Sequence, residues 1–289
     1  MNYCINIPYS YVQSCVNSIL SPLDDFMIIS DYQFKGKGRR QNEWLSKDSG
    51  HDDPMASLTF TYTRTIPYSQ VLKFKLYPYL VGIALARSLN RLYFSQTQTK
   101  VQLKWPNDAF LNGAKFSGCL EEGEKIMFQN LQTSSAQNDQ IEWGKVFIGI
   151  GININQDHGF TCISKHLNEQ QKATLSKLDI MIEFQKEFLE LEKLLSVDGS
   201  LNEYNNLENR QNIRKLLDMY ENLWIHNGQN VSIEVPDYQI PGIRLQGQVA
   251  GITDEGFLKI KVGENVYETY PTDDYSLDIK NSRIIRKIQ

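Results

Sequence analysis

Residues 104–120, Lys-Trp-Pro-Asn-Asp-Ala-Phe-Leu-Asn-Gly-Ala-Lys-Phe-Ser-Gly-Cys-Leu, constrain the fold more than any other stretch of the chain. Asn112-Gly113 is a strong hairpin signal, because a two-residue turn that matches strand twist needs positive φ at both positions. Lys104 then ends one strand, and Lys115 to Glu122 begins the return. Two lysines converge on one edge of a sheet, beside a rigid Trp105-Pro106 step followed by an amide, Asn107, and a carboxylate, Asp108.

The chain has 289 residues, 41% of them apolar and 22% charged, enough to bury a sizeable core as one large domain or two unequal ones. It has no run of about 18 apolar residues, which argues against a membrane helix. The N-terminus has neither the basic start and apolar core of a signal peptide nor an Arg-rich transit-peptide pattern, so cytoplasmic residence is the expectation. Cys4, Cys15, Cys119 and Cys162 are widely spaced without Cys-x-x-Cys, which fits reduced thiols in that compartment. Net charge is −4, from 30 Lys and Arg against 34 Asp and Glu, so the molecule as a whole has no electrostatic reason to bind nucleic acid.

Periodicity predicts a helix from Tyr9 to Leu20, a buried strand over Phe26–Gln33, and a strand from Ser57 to Thr65 in which Leu58, Phe60 and Tyr62 alternate with threonines. A largely buried helix follows from Lys75 to Tyr93, with Pro78 tolerated in its first turn. The polar run 129–140 reads as a mobile hairpin insertion, and strand character resumes over Lys145–Ile152. Leu178–Leu195 and Leu201–Leu223 have helical spacing and should pack on the sheet. From Trp224 the period becomes two, which predicts a small all-β module. The chain is thus divided into residues 1–223 and 224–289.

Lys35, Lys37, Arg39 and Arg40 place four cations within six residues, interleaved with Gly36 and Gly38. By itself such a cluster is usually a solvated loop. It is neither a phosphate-binding Gly-Lys-Ser/Thr loop nor a Gly-x-Gly-x-x-Gly fingerprint, since position 41 is Gln. A lone lysine such as Lys104 is ordinarily a surface charge, and a lone Asn153 an ordinary strand cap. His158, Cys162 and His166 share a spacing of four, but their loop-like surroundings favour packing over metal binding, and no metal cluster of protein side chains is expected.

Taken together and in order, Gly36-Lys37-Gly38-Arg39-Arg40, Lys104-Trp105-Pro106-Asn107-Asp108 and Gly149-Ile150-Gly151-Ile152-Asn153 resemble the catalytic core of the biotin protein ligases, nearest to the eukaryotic holocarboxylase synthetase type. The segment from Trp224 to Gln229 resembles the start of that family's SH3-like C-terminal domain. The resemblance covers about residues 5–285. It implies an α/β (α+β) catalytic domain with a mixed sheet flanked by helices, followed by an SH3-like barrel. It also implies formation of biotinyl-5'-AMP from biotin and ATP with Mg²⁺, then transfer of biotin to a lysine of a biotin carboxyl carrier domain of a carboxylase. Such an activation needs fixed cations and backbone N–H groups where negative charge gathers.

Carried onto this chain, the resemblance gives Lys104 and Arg39 catalytic roles, with Lys104 bridging the biotin carboxyl and the α-phosphate. Biotin contacts fall to Ser10, Gln33, Gly36, Lys37, Gly38, Arg39, Lys104 and Gly118. The adenylate falls to Arg39, Arg40, Trp44, Asn107, Lys115 and Asn153. The family's Ser-Thr-Asn group aligns with Ser10-Tyr11-Val12, where only Ser10 agrees. A lipoate or octanoate ligase lacks support because no Arg-Arg-x-Ser-Gly-Gly-Gly run is present. The other alternative is a non-catalytic biotin-binding regulator. No residues ahead of the core supply a helix-turn-helix, so no nucleic-acid partner is expected, and no membrane partner either.

Overall fold

The computed structural model describes residues 25–30, 33, 36–38, 43–44, 53–67, 73–126, 143–157, 159–195, 207–234, 244–269, 275–278 and 283–286. Ser10 and the Tyr9–Leu20 helix, Arg39, Arg40, His158 and the 129–140 run lie outside these residues.

The first sheet contains β1 (Met27–Ser30), β4 (Ser57–Pro67), β5 (Val101–Lys104), β6 (Asp108–Leu111), β7 (Ala114–Ile126) and β8 (Trp143–Asn153). Their order is β1-β4-β8-β7-β6-β5. Every pairing between these strands is antiparallel, which corrects the expected mixed sheet. The reason is local: β5 to β8 form one meander of successive hairpins, and antiparallel neighbours are what short turns can join. Asn112 and Gly113 take φ of 47° and 80° between β6 and β7, as the turn requires.

A short ribbon, β2 (Gly36–Lys37) and β3 (Glu43–Trp44), stands apart from this sheet. The helices are α1 (Tyr77–Leu92), the single turn α2 (Glu169–Lys172), α3 (Lys177–Glu192) and α4 (Leu207–Glu221). Pro78 falls in the first turn of α1, where its missing N–H costs nothing. One sheet face, built on Leu58, Phe60 and Tyr62, turns to the helices. Phe184 and Phe188 of α3 meet Phe60 and Tyr62 edge to face, with ring centroids 5.3–6.5 Å apart. Each such pair adds about 0.5–1.5 kcal/mol to its area burial.

The second sheet, in the order β12-β11-β10-β9-β14-β13, comprises β9 (Asn230–Glu234), β10 (Arg244–Ile252), β11 (Leu258–Val262), β12 (Asn265–Thr269), β13 (Tyr275–Asp278) and β14 (Arg283–Arg286). Its one parallel pairing joins β14 to β9. The two sheets are stitched together. Leu103 N–H donates to Leu223 O at 2.8 Å, and Ile225 N–H donates to Leu103 O at 2.9 Å, so Trp224 makes a parallel bridge to the edge strand β5. The Tyr79 hydroxyl donates to Gly256 O at 2.6 Å and accepts from Trp105 Nε1 at 3.0 Å. Glu221 accepts from Ile252 N–H, and Arg214 donates to Ile252 O. Side chains of both sheets accordingly share one hydrophobic core.

Candidate active site

Strand register brings together residues far apart in sequence. Across the first sheet, Ser30 pairs with Thr59, Thr59 with Gly151, Gly151 with Gly118, Gly118 with Asp108, and Asp108 with Lys104. Directly opposed residues project to the same face, so these six form one row on the face away from the helices. Its middle two members are glycines. The row is therefore a strip of bare backbone with Asp108 and Lys104 at one end and two small hydroxyl residues at the other.

A second cation is added by a β-bulge. Gly118 and Lys115 are an odd number of residues apart and would face opposite sides of a regular strand. The register shift between Ala109 and Phe110 restores the parity. Lys115 Nζ lies 2.7 Å from Asp108 Oδ1, and Lys104 Nζ lies 3.7 Å from Asp108 Oδ2. A Cβ on Gly118 would meet Lys115 Nζ at 3.2 Å and Asp108 Oδ1 at 3.3 Å, so glycine here keeps the ion pair against the sheet. Asp108 serves as counter-ion to two ammonium groups, each of which remains partly open to solvent.

Trp44, half-buried, covers the other glycine. A Cβ on Gly151 would fall 2.4 Å from Trp44 Cε2, and Lys115 Nζ lies 6.0 Å from the Trp44 ring. Gly36 is needed for the ribbon itself, since a Cβ there would sit 2.3 Å from Trp44 O and 2.8 Å from Gln33 Oε1. Gln33, Gly36 and Trp44 are thus brought together. Lys37 is exposed and Gly38 half-buried.

Asn153 continues the same face of β8. Its amide donates to Thr161 O at 3.1 Å and to Asp157 O at 3.3 Å, while Thr161 N–H donates to Lys115 O at 2.9 Å. This ties the loop after β8 to the lysine strand. Asn153 Oδ1 and Trp44 Nε1 are both buried and without a hydrogen-bond partner. A buried orphan acceptor and a buried orphan donor on one face are places for a ligand to bond, because leaving them unmet costs about 1–3 kcal/mol each.

Asn107 organises the turn that carries it. Its Nδ2 donates to Cys119 O and its carbonyl accepts from Cys119 N–H, which fixes the turn between β5 and β6 against β7. The Trp105–Pro106 peptide in that turn is cis. His166 bonds Thr161 Oγ1 and the Asn112 side chain, and the Cys162 thiol donates to Asn155 O. Both serve the loop, and among the described residues no group of three His, Cys, Asp or Glu side chains is placed to hold a metal. Gly151 was absent from the sequence-derived site. Its signal was present, an alternating Gly149-x-Gly151 in a strand, but only cross-strand register shows that it faces Gly118.

This geometry can take the anionic part of a ligand beside Gly118, where Lys104 and Lys115 converge, with the Trp44 ring seated on Gly151 as a neighbouring aromatic wall. The Biotin/lipoate A/B protein ligase family matches the chain over residues 11–134. Biotin–protein ligase 2 of Arabidopsis thaliana is 26% identical over 265 residues, covering 90% of this chain and 69% of that protein. The chloroplastic biotin–protein ligase 1 of the same plant is also 26% identical, and the chain spans 62% of it. Among solved structures, biotin protein ligase from Aquifex aeolicus in complex with biotin and ATP has the same fold. It superposes with a TM-score of 0.54 at 18% identity, covering 96% of this chain and 95% of that one. The order of the three motifs, the sheet topology and these relatives point one way: the chain is similar to the biotin protein ligases in sequence and shares the fold of the Aquifex enzyme.

Proposed function

We propose that the chain is an ATP-dependent biotin protein ligase. In the first step a biotin carboxylate oxygen attacks the α-phosphorus of ATP and pyrophosphate leaves. In the second, the ε-amino group of a lysine on a biotin carboxyl carrier domain attacks the acyl carbon, AMP leaves and the amine loses a proton. The observation that carries this reading is the pair of facing glycines, Gly118 with two ammonium groups beside it and Gly151 with the Trp44 ring seated on it. Repulsion between carboxylate and phosphates opposes the first step, and cations held in place before the ligand arrives offset it without reorganisation. Lys115 stands nearest the strip and Lys104 behind it across Asp108. Both would turn from the Asp108 carboxylate to ligand oxygens. Asn153 Oδ1 and Trp44 Nε1 would take polar atoms of the adenylate, while Gln33, Gly36, Lys37 and Gly38 would serve the biotin side, with Arg39 and Arg40 supplying charge to the intermediate. Mg²⁺ enters on the triphosphate, as part of the Mg·ATP substrate.

We further read residues 1–223 as the catalytic domain and 224–289 as an SH3-like module that borders the carrier's docking site. The start of the second sheet just after the Trp224 bridge supports this division. Cytosolic residence is the companion reading, supported by the spacing of the cysteines. No helix among the described residues is long and apolar enough to cross a membrane. The test is direct: purified chain, Mg·ATP, labelled biotin and a carrier domain should release pyrophosphate and label one carrier lysine. Pyrophosphate release that does not depend on biotin refutes the assignment.

A further inference from the structure

His166 joins two parts of the chain that carry site residues, and no step of the mechanism above uses it. It ends the single 3₁₀ turn Ile163–His166, whose Ile163 is fully buried and anchors the turn in the core. Its ring is bonded on both sides. Nε2 lies 2.8 Å from Thr161 Oγ1, and Nδ1 lies 3.1 Å from Asn112 Nδ2. An amide nitrogen only donates, so Nδ1 is the acceptor and Nε2 carries the proton that goes to the Thr161 hydroxyl. Burial, then the positive charge of Lys165, hold the imidazole below its ordinary value, which favours this neutral form.

Thr161 is where the two parts meet. Its C=O accepts from Asn153 Nδ2 at 3.1 Å, which leaves the buried Asn153 Oδ1 as the end free for a ligand. Its N–H donates to Lys115 O at 2.9 Å. Thr161 is buried but belongs to no strand or helix, so no ladder holds its peptide groups in place. The side chain does that work through His166, and His166 is tied in turn to Asn112, in the hairpin turn that leads to Lys115. We propose that His166 is a positioning residue: acting through Thr161, it fixes the direction of the Asn153 carboxamide relative to Lys115 before a ligand arrives. An acceptor already aimed costs no reorganisation when the adenylate side of the ligand meets it. The proposal rests on the ligase reading for its catalytic meaning but not for its contacts.

The test uses variants of the full chain. His166→Gln places an amide N–H near Nε2 and keeps the Thr161 bond, whereas His166→Asn reaches only the Nδ1 position and loses it. Thr161→Val removes the hydroxyl from the other side while keeping the branched shape. The ¹⁵N side-chain amide signal of Asn153, assigned by its loss in Asn153→Ala, reports on the carboxamide without any need for activity. In His166→Asn and in Thr161→Val that signal should shift, and its protons should exchange with water about tenfold faster. The KM for Mg·ATP should rise by about five- to tenfold while the KM for biotin stays unchanged, and His166→Gln should restore both readouts. The double variant His166→Asn/Thr161→Val should be no worse than either single one, since the two groups share one bond. An Asn153 signal indifferent to His166→Asn, no recovery in His166→Gln, or KM values for ATP and biotin that rise together overturns the inference. The expected Asn153 response in a chain that makes no adenylate overturns the ligase reading alone.

Discussion

Replacing Gly151 by alanine puts a methyl group where the Trp44 indole already lies. The new Cβ would fall 2.4 Å from Cε2, 2.5 Å from Cζ2 and 2.8 Å from Nε1 of Trp44. Carbon atoms in contact prefer about 3.5–4.0 Å, so the indole must withdraw by roughly 1 Å or more. What yields is the end of one side chain on a two-residue strand that, among the described residues, pairs only with β2. The six-stranded sheet is not forced apart. Global stability should therefore change by less than about 1 kcal/mol, measured by urea unfolding. Binding should respond more, because an aromatic wall against a nucleobase is worth about 1–3 kcal/mol, or roughly 5- to 150-fold in Kd. Titration calorimetry with a non-hydrolysable biotinyl-adenylate analogue reads that loss, and tryptophan emission reports the displacement. Gly123→Ala on β7 is the control, since its Cβ would meet Phe74 at an ordinary 3.6 Å. Native affinity in Gly151→Ala, with emission unchanged, would refute the placement of Trp44 over the strip.

Lys104→Ala and Lys115→Ala should each lower pyrophosphate release by about a hundredfold, the equivalent of about 3 kcal/mol of lost charge stabilisation, while the remaining lysine keeps Asp108 paired and the fold intact. A folded variant with near-native turnover would remove that lysine from the mechanism. Tyr79→Phe should cost about 2 kcal/mol in urea unfolding with an unchanged m-value, because Gly256 O and Trp105 Nε1 both lose a buried partner; a change below about 0.5 kcal/mol would contradict the network. His226 sets an acid limit on stability. Its folded-state value of about 4 lies below the ordinary value of 6.5, so on acidification the unfolded chain takes up the proton first and stability is lost as pH falls from about 6.5 toward 4. The loss between pH 7.5 and 5 is about 2 kcal/mol, and His226→Gln should abolish that part; parallel pH profiles of the two proteins would count against it.

What the sequence made legible was local. Asn112-Gly113 announced its turn, Leu58, Phe60 and Tyr62 their shared face, and Phe184 and Phe188 their helix, because each signal is a short-range rule of backbone freedom or periodicity. The resemblance supplied the motifs and their order. Neither showed how the motifs meet. That Gly151 faces Gly118 depends on the pairing of β7 with β8, and that Lys115 shares a face with Gly118 depends on a bulge, which shifts parity without a residue type of its own. The Leu103–Trp224 bridge joins segments about 120 residues apart, beyond the reach of any periodicity. The expected mixed sheet gave way to an antiparallel one because hairpin connections, visible singly in the sequence, decide strand direction collectively. That Asn107 secures its turn against β7 likewise depends on which strand lies beside it.

The longest hairpin has a practical implication. β7 and β8 stay paired from Gly118 and Gly151 out to Ile126 and Trp143, eight residues beyond the glycine row. At about 3.4 Å per residue the ends that residues 127–142 connect lie roughly 27 Å from the bare strip. Doubling the length of such a connection costs only about 0.6 kcal/mol of closure entropy. This hairpin end is therefore the place to graft a peptide tag, a reporter domain or a tether to a carrier protein, where added chain extends outward and leaves the chemistry at the other end of the strands undisturbed.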